Sequence, residues 1–156
     1  WHMIGHVQTN KVKYMIPYVS LIHSVDRLKL FKEINKQAEQ NERKVDVLLQ
    51  IKIAEEDSKF GMPPDEAIAF LENKKFDEYP NVNVIGLMGM ASFTDDQTQI
   101  EREFSQLKKI YTDFQSSYDF ETLSMGMSGD YELAIACGSN MVRIGSSIFG
   151  ERNYNS

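Results

Sequence analysis

Apolar runs of strand length recur along this chain at nearly regular intervals, and each is followed by a stretch patterned for a helix. The runs fall at His2–His6, Leu21–Val25, Val45–Ile53, Val82–Met90, Thr122–Met127 and Met141–Phe149. Most are continuous rather than alternating, which marks strands covered on both faces, as in a parallel sheet flanked by helices. Between them, Asp26 is placed to cap a helix whose Leu30, Phe31, Ile34 and Ala38 share one face. Pro63-Pro64-Asp65-Glu66 puts proline in a first helical turn with carboxylates at the positive end of the dipole, and Ala67, Ile68 and Leu71 on the buried side. Thr94 and Gln97 have capping-box spacing ahead of an inward stripe of Ile100, Phe104, Leu107, Ile110 or Tyr111, and Phe114. Ser128 is placed to cap a short helix that ends at Gly138, and Thr9–Tyr14 reads as a further helical segment.

Six strand–helix units define an α/β protein with a parallel sheet, either doubly wound or part of a (β/α)8 barrel. No G-x-G-x-x-G follows any strand, which removes the main support for a dinucleotide-binding sheet. In a barrel, six units over 156 residues give about 26 residues each, and two more would need roughly 50–80 residues. The chain opens Trp1-His2-Met3-Ile4-Gly5-His6, already inside a strand-like run and without an initiator Met. It therefore reads as one domain over 1–156 whose N-terminal part is missing, from a chain of about 220–240 residues.

Charge narrows the partners. Lys plus Arg total 17 against 23 for Asp plus Glu, a formal net charge of −6, the wrong sign for holding phosphate backbones, so no nucleic acid is expected. No apolar run approaches the roughly 20 residues of a membrane span. The single cysteine, Cys137, forms no internal disulfide and fits a reducing, cytoplasmic setting. A small-molecule ligand remains, with the protein as a monomer or weak homodimer.

The last two strands end in sequences suited to an anion. Barrels bind ligands at the C-terminal ends of their strands and favour phosphate in the loops after the last two. Leu123-Ser124-Met125-Gly126-Met127-Ser128-Gly129-Asp130 brings a hydroxyl and backbone N–H groups to a helix start. Val142-Arg143-Ile144-Gly145-Ser146-Ser147 adds a glycine that permits close backbone approach and a serine donor. Arg143 is costly to place in an apolar strand without partners. It is either half of a structural ion pair or a fixed donor to a ligand.

With these motifs the chain resembles the pyridoxal phosphate homeostasis proteins, which share the alanine racemase barrel. The matching segments are Ile4-Gly5-His6-Val7-Gln8-Thr9-Asn10-Lys11, Ser58-Lys59-Phe60-Gly61, Gly86-Leu87-Met88-Gly89-Met90-Ala91, Ser124-Met125-Gly126-Met127-Ser128-Gly129-Asp130 and Val142-Arg143-Ile144-Gly145-Ser146-Ser147-Ile148-Phe149-Gly150. The resemblance implies a TIM barrel of the alanine racemase N-terminal type, present as about its last six strands. It implies pyridoxal 5′-phosphate as cofactor, its phosphate held by Ser128, Gly145 and Ser146, and its pyridine nitrogen facing Arg143. It implies a role in vitamin B6 and amino-acid homeostasis without an established reaction, the alternative being a racemase-like enzyme. The family's Schiff-base lysine and a Gly-Glu-Asn-type second strand would lie upstream of this chain. Where many relatives carry a small Ser-Gly pair before Glu, this chain has Ala54-Glu55-Glu56-Asp57.

Other residues have plainer readings. His2 and His6 share a strand face but lack a third ligand, so no metal site is expected. His23 reads as a satisfied core residue, Cys137 as packing, the eight methionines as core filler and the Glu55-Glu56-Asp57 run as a solvated loop. Lys52 interrupts an apolar strand and is the candidate substitute for the missing lysine, although a water or carboxylate partner explains it as well. Lys59 carries no assigned role beyond its motif.

Overall fold

The computed structural model describes residues 1–56 and 59–150. Asp57 of the acidic run, Ser58 of the Ser58-Lys59-Phe60-Gly61 motif and the stretch 151–156 lie outside the described residues. Among the described residues six strands form one sheet: β1 (His2–Met3), β2 (Leu21–Val25), β3 (Val45–Gln50), β4 (Val82–Met88), β5 (Thr122–Met127) and β6 (Met141–Arg143). The helices are α1 (Val12–Met15, entered through a 3-10 turn at Thr9–Lys11), α2 (Leu28–Gln40), α3 (Pro64–Glu72), α4 (Gln97–Tyr118), α5 (Tyr131–Ala136) and α6 (Ser146–Phe149). Each strand pairs in parallel with the next in the sequence. A doubly wound sheet reverses its strand order at a switch point. This one does not, so the sheet is an arc of a (β/α) barrel.

Two apolar layers follow from the period-2 alternation of side chains. On the outer face Ile22, Val47, Leu49, Val84, Leu87, Leu123 and Met125 pack beneath the helices in one continuous core. On the inner face Leu21, Leu48 and Met88 form a second cluster, joined by Ile85, Met90 and Met141. The helical stripes fall as their spacing requires: Leu30, Phe31, Ile34 and Ala38 of α2 are all inaccessible to solvent, as are Phe104 and Leu107 of α4. Ala67 and Leu71 of α3 are buried, while Ile68 and Phe114 are partly so.

Several boundaries differ from the sequence reading. Asp26 does not cap α2; its carboxylate turns instead to His6 and Arg27, and Arg27 occupies the N-cap position without capping the helix through its side chain. Thr94 and Gln97 form no capping box. Asp96 caps α4, accepting from the N–H groups of Thr98 and Gln99 at 3.0 and 3.2 Å, because a carboxylate two residues closer than Thr94 reaches both. The last strand stops at Arg143, and Ser146–Phe149 is a helical turn rather than strand. The N–H of Gly145 bonds the Ser128 hydroxyl instead of a strand partner, and the run leaves the sheet there.

One close approach fixes the spacing of β4 and β5. A Cβ on Gly86 would lie 1.7 Å from the carbonyl oxygen of Thr122, a backbone atom that cannot yield. Gly86→Ala is therefore expected to cost about 3 kcal/mol or more, read as a lowered midpoint of urea unfolding. A wild-type midpoint would show that the two strands separate freely.

Candidate functional site

The ends of β1, β2 and β4–β6 open on one cavity of about 900 Å³. Its lining includes all four residues assigned to a ligand from the sequence, Ser128, Arg143, Gly145 and Ser146, together with His2, His23, Ser92, Phe93 and Asp130. The loops after β5 and β6 come together through a turn that the sequence reading misplaced. Ser128 does not cap α5. The turn at Met127–Asp130, with the Asp130 carboxylate accepting from the Met127 N–H at 2.6 Å, delays the helix until Tyr131. The Ser128 hydroxyl is thereby free to accept from the N–H groups of Gly145 and Ser147 at 3.2 and 3.3 Å, which joins the loops after β5 and β6. A Cβ at Gly129 or Gly145 would meet nothing within 4 Å. The backbone there lies open to a bound group, and hydroxyls with backbone N–H groups are the donor set a phosphate takes.

Arg143 spans three strands. Its Nη1 donates to the carbonyl oxygen and the hydroxyl of Ser124, at 3.0 and 2.8 Å, and its Nη2 to the carbonyl oxygen of Gly89 at 3.0 Å. Among the described residues no carboxylate lies within 4.0 Å of it, so the structural ion pair is not the explanation. Burial pushes its pKa down to about 10, against the opposing pull of Asp130, and it stays protonated at neutral pH. Beyond Ser124 the polar chain continues across the inside of the arc. Ser124 Oγ lies 3.1 Å from His23 Nδ1, and His23 Nε2 lies 3.2 Å from His2 Nδ1. Burial, then the charge of Arg143, then His2 push the pKa of His23 down to about 4. His23 is indeed satisfied in the core, but it also lines the cavity, a role its apolar strand concealed.

A second buried charge holds the rim. Glu103 of α4, 2% exposed, accepts from the N–H and hydroxyl of Ser92, both at 2.7 Å, from Gln99 Nε2 at 3.1 Å and from the Glu55 N–H at 3.3 Å. Burial works to raise its pKa, but these donors outweigh burial and hold it below the ordinary glutamate value. The loops after β3 and β4 are thus pinned to one helix. Glu56 accepts from the Phe93 N–H and Glu55 pairs with Arg102, so these two glutamates are bonded rather than merely solvated. The ring of Phe93 is left 93% exposed at the cavity rim.

The remaining candidates stand apart. His6 is not in the cavity lining; it pairs with Asp26 at 3.3 Å and stacks on Phe60 at 4.1 Å. Lys52 is half-buried and does not line the cavity, and Lys59 lies 3.9 Å from Glu56. Cys137 packs against the core, and burial raises its thiol pKa. Among the described residues no group of three His, Cys, Asp or Glu is placed to hold a metal, and no helix is long and apolar enough to cross a membrane.

The barrel arc places the chain in the alanine racemase N-terminal-domain class, and that family's model matches residues 1–153. More particularly, the chain belongs to the pyridoxal phosphate homeostasis protein family. It is 41% identical over 99% of its length to the protein of that name from Aquifex aeolicus, and 41% identical over 97% to that from Helicobacter pylori. It spans about two thirds of these relatives, 68% and 67% of their lengths. Among solved structures, PipY of Synechococcus elongatus superposes with a TM-score of 0.88 without PLP and 0.85 with PLP bound, at 29% and 28% identity, covering 96% of this chain and 70% of PipY. The alanine racemase of Clostridium difficile matches at a TM-score of 0.74 and 15% identity over 97% of this chain and 41% of the enzyme, a likeness of fold alone.

Two measurements test this construction. Unfolded His23 binds its proton at about 6.5 and folded His23 at about 4, so stability present above pH 6.5 falls as pH drops toward 4. Between about pH 7.5 and pH 5 this amounts to about 2 kcal/mol, and His23→Gln should remove that slope in urea unfolding. An unchanged slope would show that the imidazole is not held neutral. Glu103→Gln turns an amide NH2 toward donors and is expected to cost about 1–3 kcal/mol at neutral pH. Because the carboxylate's pKa is depressed, its stabilisation is present above the ordinary glutamate value and lost below it, so the deficit should shrink in acid.

Proposed function

We propose that the cavity binds pyridoxal 5′-phosphate and that the chain carries this cofactor in vitamin B6 and amino-acid homeostasis, rather than converting a substrate with it. The observation that carries the reading is Arg143: a permanent donor, fixed by three neutral acceptors, lining the same cavity as the Ser128–Gly145–Ser146 turn. Ser128, the backbone of Gly145 and the Ser146 hydroxyl would hold the phosphate, and Arg143 would face the ring nitrogen. An arginine cannot accept a proton bond and disfavours a pyridinium, whereas a carboxylate would promote one. When bound, the cofactor supplies an electron sink, which an unprotonated ring nitrogen weakens. That favours carriage over carbanion chemistry.

The naming of the relatives and the PLP-bound PipY structure support this reading. We read 1–156 as a single barrel domain acting in the cytoplasm as a monomer or weak homodimer, with no nucleic-acid partner. β1 and β6 each pair on one side only among the described residues. A closed eight-stranded barrel would place two more strands between them, and the greater length of the relatives suits that completion.

Titration of the chain with pyridoxal 5′-phosphate, followed by cofactor absorbance, tests the proposal. Ser128→Ala should weaken binding about tenfold, the worth of one good hydrogen bond. Arg143→Glu, with its fold checked by circular dichroism, should shift the spectrum toward the pyridinium form. Equal affinity and an unchanged spectrum in both variants would move the cofactor out of this cavity.

A further inference from the structure

The chain Arg143–Ser124–His23–His2 has a direction. Arg143 only donates, so one lone pair of the Ser124 hydroxyl is taken by Nη1 at 2.8 Å. The hydroxyl still carries one proton, and the acceptor in reach is His23 Nδ1 at 3.1 Å. His23 is held neutral, so accepting at Nδ1 places its own proton on Nε2, which points at His2 Nδ1 3.2 Å away. A neutral His2 that accepts at Nδ1 must carry its proton on Nε2. The reverse order would let His23 Nδ1–H fill the second lone pair of the hydroxyl and would leave the serine proton without that acceptor. His23 is 1% exposed and Ser124 is inaccessible to solvent, so water does not rescue the reversed chain. His2 is exposed and lines the cavity, and with Nδ1 engaged inward its Nε2 edge is the one turned outward.

We propose that His2 is a ligand-binding residue whose Nε2–H is locked as a donor into the cavity by Ser124 and His23, and that it serves the phenolic oxygen of the bound pyridoxal ring. This rests on the cofactor reading given above. With the phosphate arm at Ser128 and Ser146 and the ring nitrogen at Arg143, the phenolic oxygen lies on the flank of the ring opposite the phosphate arm. His2, on the first strand of the arc, faces the cavity from the side opposite β6. Ser124 and His23 touch no ligand in this scheme; they are positioning residues that set which imidazole nitrogen of His2 carries the proton.

Three histidines in the chain make the tautomers directly readable by nitrogen-15 NMR of the imidazoles, at about pH 8.5, well above the ordinary histidine value of about 6.5. His23 and His2 should both be protonated on Nε2 and bare on Nδ1. Ser124→Ala should abolish that preference while leaving His6 unchanged. A His23 proton on Nδ1 in the wild-type chain overturns the lock. For the ligand, pyridoxal 5′-phosphate and its 3-deoxy analogue are compared. The wild-type chain should bind the phenolic form about tenfold more tightly, with the His2 Nε2 resonance shifting and that of His6 still. His2→Phe should erase the difference between the two ligands, and His2→Gln, which can both accept and donate, should restore most of it. If the wild-type chain binds both ligands equally, this proposal fails and the cofactor reading stands. If it binds neither, both fail together.

Discussion

A guanidinium held entirely by neutral oxygens is the interaction on which this site depends. Arg143 takes the Ser124 carbonyl, the Ser124 hydroxyl and the Gly89 carbonyl, so it ties β6 to β5 and to the exit of β4 in one contact. Among the described residues no carboxylate lies within 4.0 Å to cancel its charge, and Asp130 acts on it only from farther away. That charge is therefore felt inside the arc, where it joins burial in keeping His23 uncharged. The choice of neutral acceptors converts a structural clamp into a fixed source of positive potential at the cavity.

The outer side of the sheet carries the mirror arrangement. Glu103 is a buried anion satisfied by neutral donors from Ser92, Gln99 and Glu55, and it fastens two loops to α4 as Arg143 fastens three strands. Both charges are satisfied without meeting an opposite one, which keeps each in service to backbone geometry. Phe93, one residue beyond Ser92, holds its exposed ring at the cavity rim because its own N–H is taken by Glu56.

Much of this was legible in the sequence, and the failures have physical causes. β2 and β5 begin and end where their apolar runs do, because both faces of those strands are covered. The run from Met141 to Phe149 looks equally continuous, yet it leaves the sheet after Arg143, since the Gly145 N–H bonds a serine 17 residues away. Ser128 has the chemistry of a cap and the position of one, but Asp130 reaches back to Met127 and takes over the turn. Ser128, Arg143, Gly145 and Ser146, singled out by residue type and by position at the strand ends, which are local signals, do line one cavity. His23 and Glu103 were not singled out, because what distinguishes each is its partners: His23 meets a serine 101 residues on, and Glu103 sits on a helix whose stripe reads as ordinary packing.

The chain order of the strands has a kinetic meaning. Because each strand pairs with its immediate successor, the arc can grow by adding one strand and one helix at a time, with modest loop-closure entropy at every step. The bond between His23 and Ser124 breaks that pattern, joining residues 101 positions apart. It can form only after β3, β4 and β5 have been laid down and the sheet has curved. The cavity therefore takes its shape only once the sheet has curved, and a partly frayed arc lacks the bond that joins its first half to its second.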